Sequence, residues 1–241
     1  MMDKSFKKGK WLLFTVLALG LLGATLVMVP PQSTQKKYYK NGDLKAEYSQ
    51  KWGMKHGFAK TYHENGKLKS ERMYRFGKQH GMSRSYDKSG KLSCECPYEN
   101  GKKHGLVRWF YESGAVKSEV HYEKGEPQGQ GKSYYENGKI EAMGSYQDGN
   151  YEGVYKQYFE NGDVKAEWNY QQGQLQGMGR QYYEGNRIKF ESNYQKDLLE
   201  GAGKFYLKSG RLGSEWNYDH GVLQGINREY YENGKTKSEY S

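Results

Sequence analysis

The chain has 241 residues, with 38 Lys+Arg against 28 Asp+Glu for a formal net charge of +10, two cysteines and four prolines. Hydrophobic residues make up 35%, while 24 tyrosines and 32 glycines supply about a quarter of the chain. This excludes a disulfide scaffold, a collagen and, at a mean hydropathy of −1.09, a polytopic membrane protein; 15% aromatic residues argue against disorder.

Residues 1–10 are a basic tail carrying Lys4, Lys7, Lys8 and Lys10, followed by Trp11 to Val29, 19 residues without a charge. As a helix that run spans roughly 28 Å, close to the ~30 Å of a bilayer core. A signal peptide has an apolar region of roughly 7–15 residues ending at a small-x-small site. Here the run ends Leu26-Val27-Met28-Val29-Pro30, and Ala18-Leu19-Gly20, the other candidate, lies in its middle. The reading is a transmembrane anchor over 11–29, with a cleaved signal sequence and secretion as the alternative. The basic flank places the N-terminus in the cytoplasm and residues 31–241 outside it, in the periplasm or at the cell surface. Residues 30–36 read as a linker.

From Lys37 to Ser241 the chain repeats. Gly42, Gly66, Gly90, Gly114, Gly138 and Gly162 fall 24 residues apart, Asn186 takes the next beat, and Gly210 and Gly234 complete nine. A second pair of glycines keeps time, as in Gly77/Gly81 and Gly101/Gly105. Each unit reads as a β-hairpin. Asn-Gly at 41–42, 65–66, 137–138, 161–162 and 233–234 predicts a two-residue type I′ turn. That turn sets Lys60 opposite Glu71 and gives an opposite-charge pair at seven of eight such sites, with Lys132 facing Met143. Such pairs recurring directly across the strands support the register.

Beside the basic column runs one that is always aromatic: Tyr38, Tyr62, Tyr86, Phe110, Tyr134, Tyr158, Tyr182, Tyr206 and Tyr230. An aliphatic column from Leu44 and Leu68 to Leu212, with a tyrosine column from Tyr74 to Tyr218, is expected on the opposite face. Neither face is plainly apolar, so each hairpin must bury its rings against the next. The predicted fold is all-β: an elongated, single-layer antiparallel meander or solenoid of about nine 24-residue hairpins, preceded by one N-terminal transmembrane helix.

The segment Tyr98-Glu99-Asn100-Gly101-Lys102-Lys103-His104-Gly105 resembles the signature half of a MORN repeat, and Tyr74 to Gly81 is similar. The remainder, Y-Y-E-N-G-K-x-K-x-E-x-x-Y, resembles the bacterial MORN-variant repeat of YwqK-type antitoxin-component chains. The resemblance covers about 205 residues. It implies a hairpin array and a non-catalytic adaptor that contacts membranes or partner proteins, or an antitoxin-like component of a toxin–antitoxin pair.

His56, His80 and His104 share one slot, but successive units lie roughly 9.6 Å apart, too far to share one ion at ~2 Å. The slot continues as Gln128, Glu152, Gln176, Glu200 and Gln224, which points to a hydrogen-bonding loop side chain. Cys94 and Cys96, one residue apart on a strand, are expected as free thiols. Gly125 to Ser133 mimics a phosphate loop at the wrong spacing. Most of the basic column faces its own glutamates, which weakens a nucleic-acid reading. No Ser/His/Asp or Cys/His set stands outside the repeat slots, so no enzyme, cofactor or metal site is expected.

The expected function is a membrane-anchored scaffold for protein–protein interaction at the cell envelope. A surface for polysaccharide or anionic lipid is the second reading. Because recurring residues have structural uses, function should reside in what varies: Trp52, Phe76, Trp109, Trp168, Phe205, Trp216 and Tyr240, since aromatic residues anchor interfaces. The C-terminal strand, ending at Tyr240, offers an edge for self-association.

Overall fold

The computed structural model describes residues 32–241; the anchor expected over 11–29 and the basic tail lie outside the described residues. Among the described residues no helix is long and apolar enough to cross a membrane.

The repeat array is one antiparallel sheet of 22 strand segments. Each strand pairs with its neighbours in sequence, from Ser33–Tyr38 to Thr236–Tyr240. Four segments are two-residue pieces (Lys78–Gln79, Lys102–Lys103, Gln174–Leu175 and Val222–Leu223) that lead into longer strands. Counted with them, the sheet has nine hairpins. No pairing among the described residues joins the first strand to the last, so the sheet is open. The first strand begins at Ser33, which draws residues 33–36 out of the expected linker and into the array.

The two ends of each hairpin turn differently, and the expectation for the Asn-Gly end needs correcting. At Glu64-Asn65-Gly66 the amide of Gly66 donates to His63 O at 3.0 Å and that of His63 to Lys67 O at 2.8 Å. Only Gly66 has positive φ, +79°, so this is a three-residue loop: a type I turn closed by a left-handed glycine. Asn65 serves by its side chain, whose Oδ1 accepts from Lys67 N at 3.1 Å. Type I′ geometry occurs at the other end. Trp52-Gly53, Phe76-Gly77, Asn100-Gly101 and their successors have φ > 0 at both positions and close pairs such as Lys51↔Met54 and Arg75↔Lys78.

The charge register nevertheless stands, because a second irregularity cancels the first. Tyr62 pairs with Leu68 and Thr61 with Ser70, so Lys69 is bulged out and Lys60 again meets Glu71. The same bulge recurs in each hairpin. It moves the aliphatic column. Leu44, Leu68, Leu92, Val116, Ile140, Val164, Ile188 and Leu212 stand directly across from the aromatic column, on its face rather than the opposite one.

On that face a stripe of alternating charge crosses the sheet, one residue per strand. It runs Lys36, Glu47, Lys60, Glu71, Arg84 and onward to Arg228 and Glu239. Met143, between Lys132 and Lys156, interrupts it. Contacts include Lys156 Nζ–Glu167 Oε1 at 2.6 Å and Arg84 Nε–Glu95 Oε1 at 2.9 Å. Both pairs are partly exposed, so each contributes no more than about 1 kcal/mol.

The other face holds what core there is. Ala59, Ser70, Ser83, Cys96, Val107, Ala142, Ala166 and Ser192 are buried. All are small because aromatic rings from adjacent strands lie over this surface. A Cβ on Gly131 would come 2.8 Å from the ring of Tyr146, on Gly144 2.8 Å from Tyr155, and on Gly179 2.8 and 2.9 Å from Tyr194 and Trp168. Glycine here makes room for a ring.

Hydroxyl groups bolt the hairpins together in both directions. Tyr39, Tyr111, Tyr135 and Tyr183 donate forward to the carbonyls of Tyr62, Tyr134, Tyr158 and Tyr206 at 2.6–3.0 Å. Tyr62, Tyr134, Tyr182, Tyr206 and Tyr230 donate backward to the stripe carboxylates Glu47, Glu119, Glu167, Glu191 and Glu215. These bonds explain tyrosine where leucine would fill the space equally well. They link nearest neighbours, as a solenoid requires.

Candidate interaction surface

The slot of His56 becomes legible once the turns are known. From the fifth hairpin on, its side chain accepts the first amide of the next type I′ turn: Gln128 from Asp148 N, Glu152 from Gln172 N, Gln176 from Lys196 N and Glu200 from His220 N, at 2.8–3.2 Å. The hydrogen-bonding role read from the sequence therefore holds. His56 and His80 depart from it: the Nδ1 of each is buried without a partner, and the His56 ring meets that of Phe76 edge-on at 5.2 Å. Glu200, Asp219 and His220 bring ligand atoms within 4.8 Å of one another, but Glu200 is engaged as a turn cap. Asp219 contacts His220 Nδ1 at 2.5 Å and raises its pKa.

The seven aromatic residues expected to form an interface separate into two groups. Trp109, Trp168, Phe205 and Trp216 are half-buried. Trp168 lies 6.2 Å from Tyr155 between ring centroids, and Trp216 lies 6.0 Å from Phe190. Trp52, Phe76 and Tyr240 are exposed. Trp52 and Phe76 occupy the first position of adjacent type I′ turns, with φ of 52° and 48°, a region bulky side chains rarely adopt. Their rings stack at 5.8 Å, and Lys51 Nζ sits 4.6 Å over Trp52. In the turns that follow, the position holds Asn100, Lys124, Asp148, Gln172, Lys196 and His220.

The sequence reading missed a row beside the charge stripe. Phe58 pairs with Met73 two positions from Lys60. In successive hairpins its slot holds Met82, Leu106, Gln130, Val154, Met178, Ala202 and Ile226. Phe58 is 54% exposed, Val154 50% and Ile226 53%, with Met73, Met82 and Leu106 also exposed. The signal was available as a mostly apolar 24-residue column, hidden because no single residue type recurs in it. Row and stripe together form a ribbon of apolar and paired charged groups crossing the sheet. Trp52 and Phe76 add exposed rings beside the first members of the row, and Val222, Leu223 and Tyr231 add exposed apolar groups near its last member, Ile226.

Several phenols and a thiol of the array are held in their protonated forms. Burial first, then the carboxylates of Glu47 and Glu119, push the Tyr62 and Tyr134 phenols up to about 12. Burial likewise raises the Cys94 thiol to about 11. Cys94 and Cys96 are free, as expected, and Cys94 is held as the unreactive thiol.

The MORN repeat variant family matches residues 32–51, 55–75, 79–100, 103–124, 127–148, 151–172 and 223–241, more than half of the chain. No curated protein matches. Among solved structures, TarM is 14% identical over 37% of this chain and 18% of its own, with a TM-score of 0.28. The GtfA/B complex bound to UDP and GlcNAc is 13% identical over 47% of this chain and 22% of its own, at 0.22. A porin-like protein from Bacteroides uniformis is 6% identical over 81% of this chain and 92% of its own, at 0.23. The chain spans about a fifth of the length of the first two, and at such scores these likenesses carry no argument.

Proposed function

Because the chain belongs to the MORN repeat variant family, we propose that it is a non-catalytic scaffold that presents its exposed apolar row to a protein partner and is held at the membrane by residues 11–29. The carrying observation is the division of labour among the columns. Tyrosines, stripe charges and turn caps are engaged within the array, whereas Phe58, Met82, Leu106 and Val154 stand exposed with no such role. Exposed apolar groups gathered in a row mark interaction sites, and neighbouring paired charges supply a polar rim.

The test is in-cell crosslinking of tagged full-length protein followed by mass spectrometry. One envelope protein captured near stoichiometry, and lost from Phe58→Ser/Leu106→Ser, is the expected result. Capture of a cytosolic toxin instead would favour the antitoxin reading and reverse the proposed topology. A reporter fused at the C-terminus reads that topology independently.

A second reading rests on the Asn-Gly edge, where Phe159, Tyr183, Arg187, Lys189 and Lys208, with one acid, Glu184, line a shallow groove. Lys189 Nζ lies 5.8 Å over the Tyr183 ring, and similar lysines sit over Tyr39, Tyr111 and Phe159. Aromatic rings with cations suit an anionic polysaccharide or lipid headgroup. Cosedimentation of full-length protein with cell-wall polymer or anionic vesicles, abolished by Lys165→Glu/Lys189→Glu, would support it.

A further inference from the structure

The two outer strands of the described sheet are chemically complementary, and we propose that copies of this chain associate head to tail, the first described strand of one copy adding to the last of another. Both strands lie along the outside of the described sheet: Ser33–Tyr38 is exposed throughout and Thr236–Tyr240 almost throughout. An open strand edge is a template for strand addition.

The repeat dictates the register. Within the array Ser214 pairs with Glu229 and Glu215 with Arg228. Advancing one 24-residue unit sets Ser238 against the second copy's Lys37 and Glu239 against its Lys36. The charge stripe ends in Lys36 at one edge and Glu239 at the other, so it would continue across the junction without a clash of like charges.

Both interlocking tyrosine bonds would be completed as well. Inside the array the Tyr39-type hydroxyl reaches the carbonyl 23 residues on, and the Tyr62-type hydroxyl reaches the carboxylate 15 residues back. At the junction these rules direct Tyr231 Oη to the second copy's Tyr38 O, and that Tyr38 Oη to Glu239. Tyr38 and Tyr231 are 58% and 52% exposed, whereas their equivalents in interior repeats, such as Tyr62 and Tyr111, are half-buried. Opposite edges meet rather than like edges, so the contact is heterologous and can add copy after copy in one direction.

The experiment is light scattering on full-length protein in detergent across a concentration series. Wild type should grow in mass with concentration. Lys36→Glu and Glu239→Lys should each weaken association on the order of tenfold, from loss of a pair and gain of a repulsion. Mixing the two variants should restore it, because each then offers the edge charge the other needs. In a Cys94→Ser/Cys96→Ser background, Lys37→Cys mixed with Ser238→Cys should form a disulfide between copies. Protein that stays monomeric, masses unmoved by the charge reversals, or a disulfide joining Ser238→Cys only to itself would each overturn the proposal.

Discussion

The middle of the array and its first hairpins use similar residues to opposite ends. Across residues 131–194, glycine at 131, 144 and 179 leaves hollows that Tyr146, Tyr155, Trp168 and Tyr194 cover. Rings then meet rings, with Tyr146–Tyr151 at 4.4 Å and Tyr151–Tyr170 at 5.3 Å between centroids. In the first hairpins the same positions hold Ala59, Ser83, Cys96 and Val107, which are buried themselves. There, aromatic residues stand on the surface at Trp52, Phe58 and Phe76. Phe58 pairs with Met73 on the charge-stripe face and Trp52 and Phe76 occupy turns, so the place of a ring in the pleat decides whether it becomes core or contact surface.

Four measurements would break or sharpen that contrast. Tyr155→Ala should destabilise the protein by about 3 kcal/mol in urea unfolding, while Phe58→Ala should stay within about 0.5 kcal/mol; equal losses would erase the distinction. Gly179→Ala, whose new Cβ would press on Trp168 and Tyr194, should cost about 2 kcal/mol. Trp52→Asn should instead stabilise the fold by roughly 0.5–1 kcal/mol, because asparagine tolerates the left-handed region better than tryptophan.

The fourth prediction concerns alkali. Tyr62, Tyr98 and Tyr134 are raised from 10.0 to about 12, so the folded state holds phenol protons that the unfolded chain releases sooner. Their contribution is fully present below pH 10 and is lost between about pH 10 and 12. A spectrophotometric tyrosine titration should show these phenols ionising late, together with unfolding. Ionisation of Tyr62 and Tyr134 near pH 10 with the fold intact would remove the interlocking role assigned to those two.

Much of this architecture was legible because the 24-residue beat is unbroken, and beat alone fixes which residues form columns. The turn type was not. Asn-Gly suits a type I′ turn, yet the left-handed pair falls at Trp52-Gly53 and Phe76-Gly77, where the first residue gives no hint of it. The bulged Lys69 also resembles any strand residue. Because bulge and longer loop cancel, the Lys60–Glu71 register emerges correctly from an incorrect turn, and only the aliphatic column's face betrays the difference. Of the candidate site, Trp52 and Phe76 were visible as departures from their slot. The Phe58 row was not, since what unites its members is apolarity rather than identity.

The constancy of the hairpin has a consequence for how such a chain can change. Most units present similar faces to their neighbours, so deleting or duplicating 24 residues rejoins compatible strands and keeps the tyrosine bonds wherever the unit carries neither Phe110 nor Met143. Length becomes an adjustable quantity, altered in steps of two strands, roughly 9.6 Å, without redesign of a core. Seen this way, the array works as a ruler whose graduations can be added or removed, while the side chains at each mark remain free to diverge.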